Sequence, residues 1–274
     1  MVERLVANEK VVGSSPIARS KKMDKKIINS FIKSKYFSNK HMNYFDVYDH
    51  LLNSYIGKQF TFVEIGILDG GSLTMWRDYF GSKARIIGID LNPEVKKFEK
   101  DGFEIFIGDQ SDKNFWKYFF KTVGNVDIIL DDGGHTNEQQ IVTLNECVKN
   151  INDSGMLLVE DTHASYMKEF NNPSKDSFIN FSKNIIDYIN YRFPNIGEKY
   201  DPYFSSVFSI NFFESIVCYN VNRKLCKKNI PVKNTGIHSN HKDFRHGDPD
   251  EKKNLLDELK SELNDELKSE PNKE

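Results

Sequence analysis

The run Thr61-Phe62-Val63-Glu64-Ile65-Gly66-Ile67-Leu68-Asp69-Gly70-Gly71-Ser72 sets the fold. Its first half is a nearly unbroken apolar segment, as expected of a strand buried on both faces. Its second half carries glycines that permit positive φ and close approach of backbone to a ligand. Four further runs of the same kind follow: Ala84 to Asp90 (ARIIGID), Phe103 to Asp109 (FEIFIGD), Val126 to Asp132 (VDIILDD) and Gly155 to Asp161 (GMLLVED). The stretches between them have helical spacing. Ser72 to Phe80, Asp112 to Lys121 and Thr136 to Asn150 are expected helices, with Ile141, Leu144 and Val148 on one face of the third and Asp112 as N-cap of the second. Strands alternating with helices predict an α/β domain with a mostly parallel sheet.

Beyond Ser174 a longer helix is expected, with Phe178, Phe181, Ile185 and Ile189 as its core stripe. SVFSI and SIVCYNV, separated by Asn211 to Glu214, predict a closing hairpin. The expected organisation is a leader (1–22), a helical segment (23–58), the α/β domain (59–222), a basic loop (223–247) and a charged amphipathic helix or tail (248–274). The leader contains no Phe or Tyr and no apolar core of a secretory signal. Its Gly13-Ser14-Ser15-Pro16 back-translates to GGT-TCG-AGT-CCC, which looks like the T-arm of a transfer RNA gene. The expected natural start is therefore Met23, the alternative being an ordinary disordered leader. In the last 27 residues, leucines at 255, 259, 263 and 267 form a stripe suited to docking on the domain or pairing with another subunit, a possible homo-oligomer. His238, His241 and His246 are irregularly spaced and are read as part of a solvated loop.

Composition narrows the function. The 274 residues are 38% apolar and 28% charged, enough to bury a core, and the net charge is −2. With a pI near 6.4 there is no basic excess to draw nucleic acid or anionic lipid, and no apolar run is long enough to span a bilayer. Three unpatterned cysteines predict a reduced, cytoplasmic setting.

In an open parallel sheet, ligands bind beyond the carboxyl ends of the strands, and each predicted strand here ends on an acid: Glu64, Asp90, Asp109, Asp132 and Glu160. The first turn is not GxGxxG, and Glu64 and Asp69 would repel a pyrophosphate, so a cationic ligand suits it better. Asp90, after the second strand, is placed to accept ribose hydroxyls, and Asp109-Gln110 offers an acceptor and an amide for an adenine edge.

The segments EIGILDGGSL (64–73), GIDLNP (88–93), IGDQSD (107–112), DDGGHT (131–136) and VEDTHASY (159–166), in this order, resemble the class I S-adenosylmethionine-dependent methyltransferases. More narrowly, they are similar to the metal-dependent sugar O-methyltransferases that act on macrolide and polyketide glycosides. The glycine turn alone is weakly specific; DxxH from Asp132 to His135 followed by Glu160-Asp161 is much more so. The resemblance covers residues 60–220 and implies a Rossmann-like fold with a seven-stranded sheet whose last strand is antiparallel. It places Glu64, Gly66, Gly70, Ser72, Asp90, Asp109, Gln110 and Asp131 around S-adenosyl-L-methionine. Asp132, Glu160 and Asp161 become ligands of Mg2+ (or Mn2+), and His135 becomes the general base.

The chemistry of the residues agrees with a metal, because three carboxylates at neighbouring strand ends repel one another unless a cation neutralises them, and oxygen ligands favour a hard ion. A sugar hydroxyl, barely ionised at neutral pH, would be acidified on the ion and deprotonated by His135. Other readings stay open. Asp131 and Asp132 could cap the helix near Thr136, Glu160-Asp161 could merely end a strand, and His135 could be a polar core or surface residue, with His163 a second candidate for orienting substrate. A metal-independent small-molecule methyltransferase and a non-catalytic nucleotide-sugar-binding protein are the alternatives in function. A hydroxylase would require a 2-His-1-carboxylate iron site, for which the sequence shows no pattern. The acceptor is expected to be set by Met23 to Lys58, Tyr200 to Phe204 and Arg223 to Gly247, which resemble nothing specific.

Overall fold

The computed structural model describes residues 25–170, 175–193, 204–227, 229–237 and 249–269, without the side chains of 251, 252 and 265–269. The expectations for the leader, for Tyr200 to Tyr203 and for His238, His241 and His246 lie outside the described residues. Two compact units are present, Met1–Ile230 and Pro231–Glu274. In the second, one helix runs Pro249–Ser269, and its Leu256, Leu259 and Leu263 are exposed.

Among the described residues the first unit holds seven strands: β1 (Thr61–Ile65), β2 (Arg85–Asp90), β3 (Glu104–Ile107), β4 (Val126–Asp131), β5 (Ile151–Val159), β6 (Val207–Phe213) and β7 (Ile216–Val221). They form one sheet in the order β3-β2-β1-β4-β5-β7-β6, with β7 antiparallel to both neighbours and every other adjacent pair parallel. This is the Rossmann-like class I methyltransferase sheet that the sequence predicts. The hairpin differs in detail: Asn211 to Phe213 continue β6, and the turn is only Glu214-Ser215, with Ser215 at φ 63°.

The apolar runs divide their residues between two layers. Phe62, Ile86, Ile128 and Leu158 point to one face, where α1 (Lys26–Ile32), α2 (Tyr44–Leu52) and α3 (Gly71–Phe80) bring Ile27, Tyr48 and Trp76. Val63, Ile87, Ile129 and Leu157 point to the other face. There α4 (Lys113–Val123), α5 (Asn137–Cys147) and α6 (Phe178–Asn190) bring Trp116, Leu144 and Phe178. A strand covered on both sides needs apolar residues at consecutive positions, which is why these strands lack polar alternation.

Local sequence sets the helix starts. Asp112 caps α4 as expected, its carboxylate accepting from Asn114 N–H at 2.7 Å. α5 is capped by Thr136 in a capping box with Gln139, and not by Asp131 or Asp132. The loop carrying Asp132 to His135 is therefore released from capping and free to face the site. Thr136→Ala should lower stability by about 1 kcal/mol in urea denaturation; an unshifted midpoint would mean that the box adds nothing to the start of α5.

Candidate functional site

The strand order reverses at β1, which pairs with β2 on one side and β4 on the other. Connections leaving their carboxyl ends diverge there, and a cleft of about 440 Å³ opens between them. Of the expected cofactor residues, Gly66, Ser72, Asp90, Asp109 and Gln110 line it, together with Asp132 and His135 from the loop after β4. Gly66 is required twice over. Its φ of 81° suits glycine, and a Cβ there would lie 2.1 Å from the Asp132 carbonyl oxygen. Asp90 Oδ2 accepts from Ile67 N–H at 3.0 Å and Leu68 N–H at 3.1 Å, and its Oδ1 accepts from Asn92 N–H at 2.9 Å. These bonds fix the carboxylate at the mouth of the cleft. Asp109 Oδ1 is held by the backbone and hydroxyl of Ser111 at 2.8 and 2.7 Å.

Three expected cofactor residues lie behind the wall. Glu64 is fully buried, accepting from Ser72 Oγ at 2.8 Å and Trp76 Nε1 at 3.2 Å, and burial pushes its carboxyl up to about 7. Gly70, at φ 75°, is the N-cap of α3. Asp131 is buried beneath Gln110, whose Nε2 donates to both its oxygens at 2.9 and 3.0 Å; burial pushes Asp131 up to about 6. Gln110 Nε2 also donates to Thr143 Oγ1, and its Oε1 accepts from Gly134 N–H at 2.9 Å. The Gln110 amide expected to read an adenine edge is thus spent on bracing β4 and the loop after it.

Of the three carboxylates expected around one ion, Asp132 and Asp161 bring ligand atoms within 4.8 Å of each other, and Lys40 bridges Asp132 to Glu160. The Lys40 ammonium, its side chain only 2% exposed, donates to Asp132 Oδ2 at 2.6 Å and Glu160 Oε2 at 2.7 Å. Tyr48 donates to the other Glu160 oxygen, so Glu160 is fully buried and engaged at both oxygens by protein groups. Burial alone would drive Lys40 toward the neutral amine, but the charges of Asp132 and Glu160 outweigh it and hold the ammonium well above the usual lysine range. Burial pushes the Glu160 carboxyl up, and Lys40 opposes that shift.

Asp161 adopts a left-handed backbone conformation, φ 53°. Its Oδ2 lies 3.3 Å from His135 Nε2, its Oδ1 accepts from Tyr44 and lies 3.8 Å from His163 Nδ1. Among the described residues, two groups of His and carboxylate side chains have ligand atoms all within 4.8 Å of one another: Asp132-His135-Asp161 and His41-Asp161-His163. The second was invisible in the sequence because its members sit at 41, 161 and 163. Asp161, common to both groups, is the residue best placed to anchor a divalent ion, and the donor set of carboxylate and imidazole fits one. Sequence reasoning also missed Lys40, Tyr44, Tyr48 and the cleft wall formed by Phe37, Ser38 and Asn39. The i,i+4 pair of tyrosines following Lys40-His41 was the available signal, since buried phenols need polar partners.

No family model matches the chain. It is 26% identical over 168 residues to the 8-demethyl-8-alpha-L-rhamnosyl tetracenomycin-C 2'-O-methyltransferase of Streptomyces olivaceus, which covers 57% of this chain and 44% of that one. It is 29% identical over 132 residues to the mycinamicin VI 2''-O-methyltransferase of Micromonospora griseorubida, covering 45% and 32%. The fold superposes with a TM-score of 0.63 on the mycinamycin-pathway methyltransferase MycE, solved with Mg, SAH and mycinamycin VI, at 21% identity over 72% of this chain and 53% of that one. The chain thus spans less than half the length of these curated relatives. The resemblance read from the motifs is borne out: the fold is that of class I methyltransferases, and the relatives in sequence are O-methyltransferases named for glycosylated natural products.

The buried Glu64 carboxyl gives a pH test of this packing. Burial raises its carboxyl from the ordinary 4.5 to about 7, so the fold favours the protonated form. That stability is complete below about 4.5 and lost as pH rises through about 7. Glu64→Gln, which keeps an acceptor for Trp76 and a donor for Ser72, should gain on the wild type by up to about 3 kcal/mol between about pH 5 and about pH 8 in denaturant titrations. A pH-independent difference would show that Glu64 is ionised throughout.

Proposed function

We propose that the chain is an S-adenosylmethionine-dependent O-methyltransferase acting on a hydroxyl of a sugar or glycosylated small molecule, with a divalent metal and His135 as general base, in a reduced cytoplasmic setting. The observation that carries this reading is a single cleft in which Asp90, at the ribose position of the switch point, shares walls with Asp132 and His135. In this reading Asp90 receives ribose hydroxyls, and the Gly66 turn and Asp69 face the cationic sulfonium end. Gly66, Ser72, Asp109 and Gln110 complete the wall, while Glu64, Gly70 and Asp131 shape it from behind.

His135 then has a defined role. Its Nε2 faces Asp161, and its Nδ1 is buried with no hydrogen-bond partner among the described residues. With the proton on Nε2, Asp161 orients the ring and Nδ1 keeps the lone pair. His135 takes the hydroxyl proton as the acceptor oxygen bonds to the methyl carbon and the carbon–sulfur bond breaks, releasing the neutral thioether. A bound divalent ion would polarise the hydroxyl and make its proton easier to remove. Asp161 would hold that ion, with Asp132 beside it, while Lys40 neutralises Glu160. The relatives named for sugar O-methylation and the Mg and SAH complex of MycE support this assignment of substrates.

Calorimetric titration with S-adenosylmethionine tests the reading directly. Asp90→Ala should weaken binding about 5- to 150-fold, the worth of about 1 to 3 kcal/mol of lost hydrogen bonds. Asp90→Asn, which keeps an oxygen for the Ile67 and Leu68 amides, separates that loss from collapse of the turn; unchanged affinity in both would remove Asp90 from the site. His135→Gln should bind S-adenosylmethionine normally and slow methyl transfer about 10²- to 10⁴-fold. Undiminished turnover in that variant would move the base elsewhere.

A further inference from the structure

His135 stands in the left-handed region at φ 59°, which a non-glycine residue keeps only where its surroundings hold it there. A glutamine amide holds the backbone on each side of it. Before it, Gln110, at the turn after β3, accepts from Gly134 N–H at 2.9 Å through Oε1. After it, Gln139, in the first turn of α5, accepts through Oε1 from Thr136 N–H at 3.2 Å and from Thr136 Oγ1 at 2.8 Å. Both glutamines line the cleft.

The two glycines between Asp132 and His135 match these amides. A Cβ on Gly133 would lie 1.9 Å from Gln110 Oε1, and one on Gly134 would lie 2.3 Å from Gln139 Oε1, so the loop backbone rests directly on both side chains. Gln110 is itself fixed. It is 5% exposed, and its Nε2 donates to both Asp131 oxygens and to Thr143 Oγ1, while its carbonyl accepts from Trp116 Nε1 at 2.8 Å. Asp131 Oδ1 accepts in turn from Gly133 N–H at 3.1 Å. An amide that lines a cleft yet turns both its oxygen and its nitrogen to the protein serves the shape of the loop.

We propose that Gln110 is a positioning residue for the base. Through Gly134 it fixes the backbone from which His135 sets Nε2 on Asp161 and leaves Nδ1 for the acceptor hydroxyl, and Gln139 holds the other side. The proposal rests on reading His135 as the base of a methyltransferase. It gives the cofactor wall and the base one support, because Asp109, next in the chain to Gln110, lines the same cleft. Such support matters to rate, since a misplacement of about 1 Å can cost about 10²-fold.

The test uses the full chain labelled with ¹⁵N in histidine and glycine, with S-adenosylmethionine as the added ligand. In the wild type, long-range ¹H–¹⁵N correlations should show His135, identified by the signals that His135→Gln removes, with its proton on Nε2. Gln110→Ala should mix the two tautomers and speed amide exchange at Gly134 about 2- to 10-fold, the worth of one hydrogen bond. Gln110→Glu should do the same, because its carboxylate cannot donate to Asp131. Combining Gln110→Glu with Asp131→Asn exchanges donor and acceptor at constant charge, and should restore both signals; general loosening of the fold would show no such rescue. Wild-type His135 and Gly134 signals in Gln110→Ala, or a folded double variant that restores neither, would overturn the proposal. S-adenosylmethionine titration of the same samples reads the methyltransferase assignment separately. Intact binding with a His135 indifferent to Gln110 rejects this inference alone, and a Gln110-dependent His135 without S-adenosylmethionine binding rejects the methyltransferase reading alone.

Discussion

The Lys40 ammonium between Asp132 and Glu160 is the contact on which the arrangement of the site depends. It joins the segment between α1 and α2 to the carboxyl ends of β4 and β5, pairs 92 and 120 residues apart in sequence. Burying one ammonium and a fully buried carboxylate costs several kcal/mol of desolvation, which their attraction and further hydrogen bonds offset only with good geometry. Tyr48 supplies one such bond, and its ring lies 5.9 Å from Lys40 Nζ. Removing Lys40 would leave Glu160 buried and uncompensated, a loss on the order of 3 to 5 kcal/mol. The same segment supplies Phe37, Ser38 and Asn39 to the cleft, so the ion pair also sets the position of that wall.

Anchoring of this segment is distributed. Ser34 Oγ donates to the Gly71 carbonyl at 2.6 Å, and Tyr36 and Lys35 both reach Asp101 at 2.7 Å. Gly71 has no Cβ, and one placed there would lie 2.2 Å from the Phe37 carbonyl oxygen. The first turn after β1 is thus shaped for two approaches: Gly66 admits the backbone of Asp132 from below the cleft, and Gly71 admits the backbone of Phe37 from its side. A glycine-rich turn commonly read as a ligand cradle is here also a packing joint between three parts of the chain.

The five apolar runs were legible as strands because a doubly covered strand leaves a mark at every residue. The strand-end acids were legible for the same reason, since a charged residue closes each run. What each acid does was not legible, because that depends on neighbours distant in sequence. Asp90 ends β2, but Glu64 lies inside β1, one residue before its end, and Trp76 and Ser72 from α3 turn it into a buried polar anchor while Asp90 stays at the cleft. Gln110 follows Asp109 in the chain, but the Asp131 carboxylate beneath it claims the amide. Lys40 and His41 lie in a segment with no recognisable motif, and their partners become neighbours only once the sheet has formed.

Asp161 shows how little separates the two sides of the site. Glu160 and Asp161 are consecutive, and in an extended chain their side chains would point to opposite faces of the sheet. The strand ends at Val159, and Asp161 adopts a left-handed conformation that costs a non-glycine residue of order 1 kcal/mol or more. Its carboxylate lies between the His135 and His163 imidazoles, 3.3 and 3.8 Å away. His135, at φ 59°, adopts the same uncommon conformation on the facing loop and meets Asp161 at 3.3 Å. Two strained residues facing one another are hard to explain by stability alone, because either loop could relax if its side chain had nothing to hold. The flanking backbone is held on both sides, since the Ile65 carbonyl accepts from Asp132 N–H at 3.0 Å and the Ser215 carbonyl from Thr162 N–H at 3.1 Å, and these bonds support the geometry in which His135 and Asp161 meet.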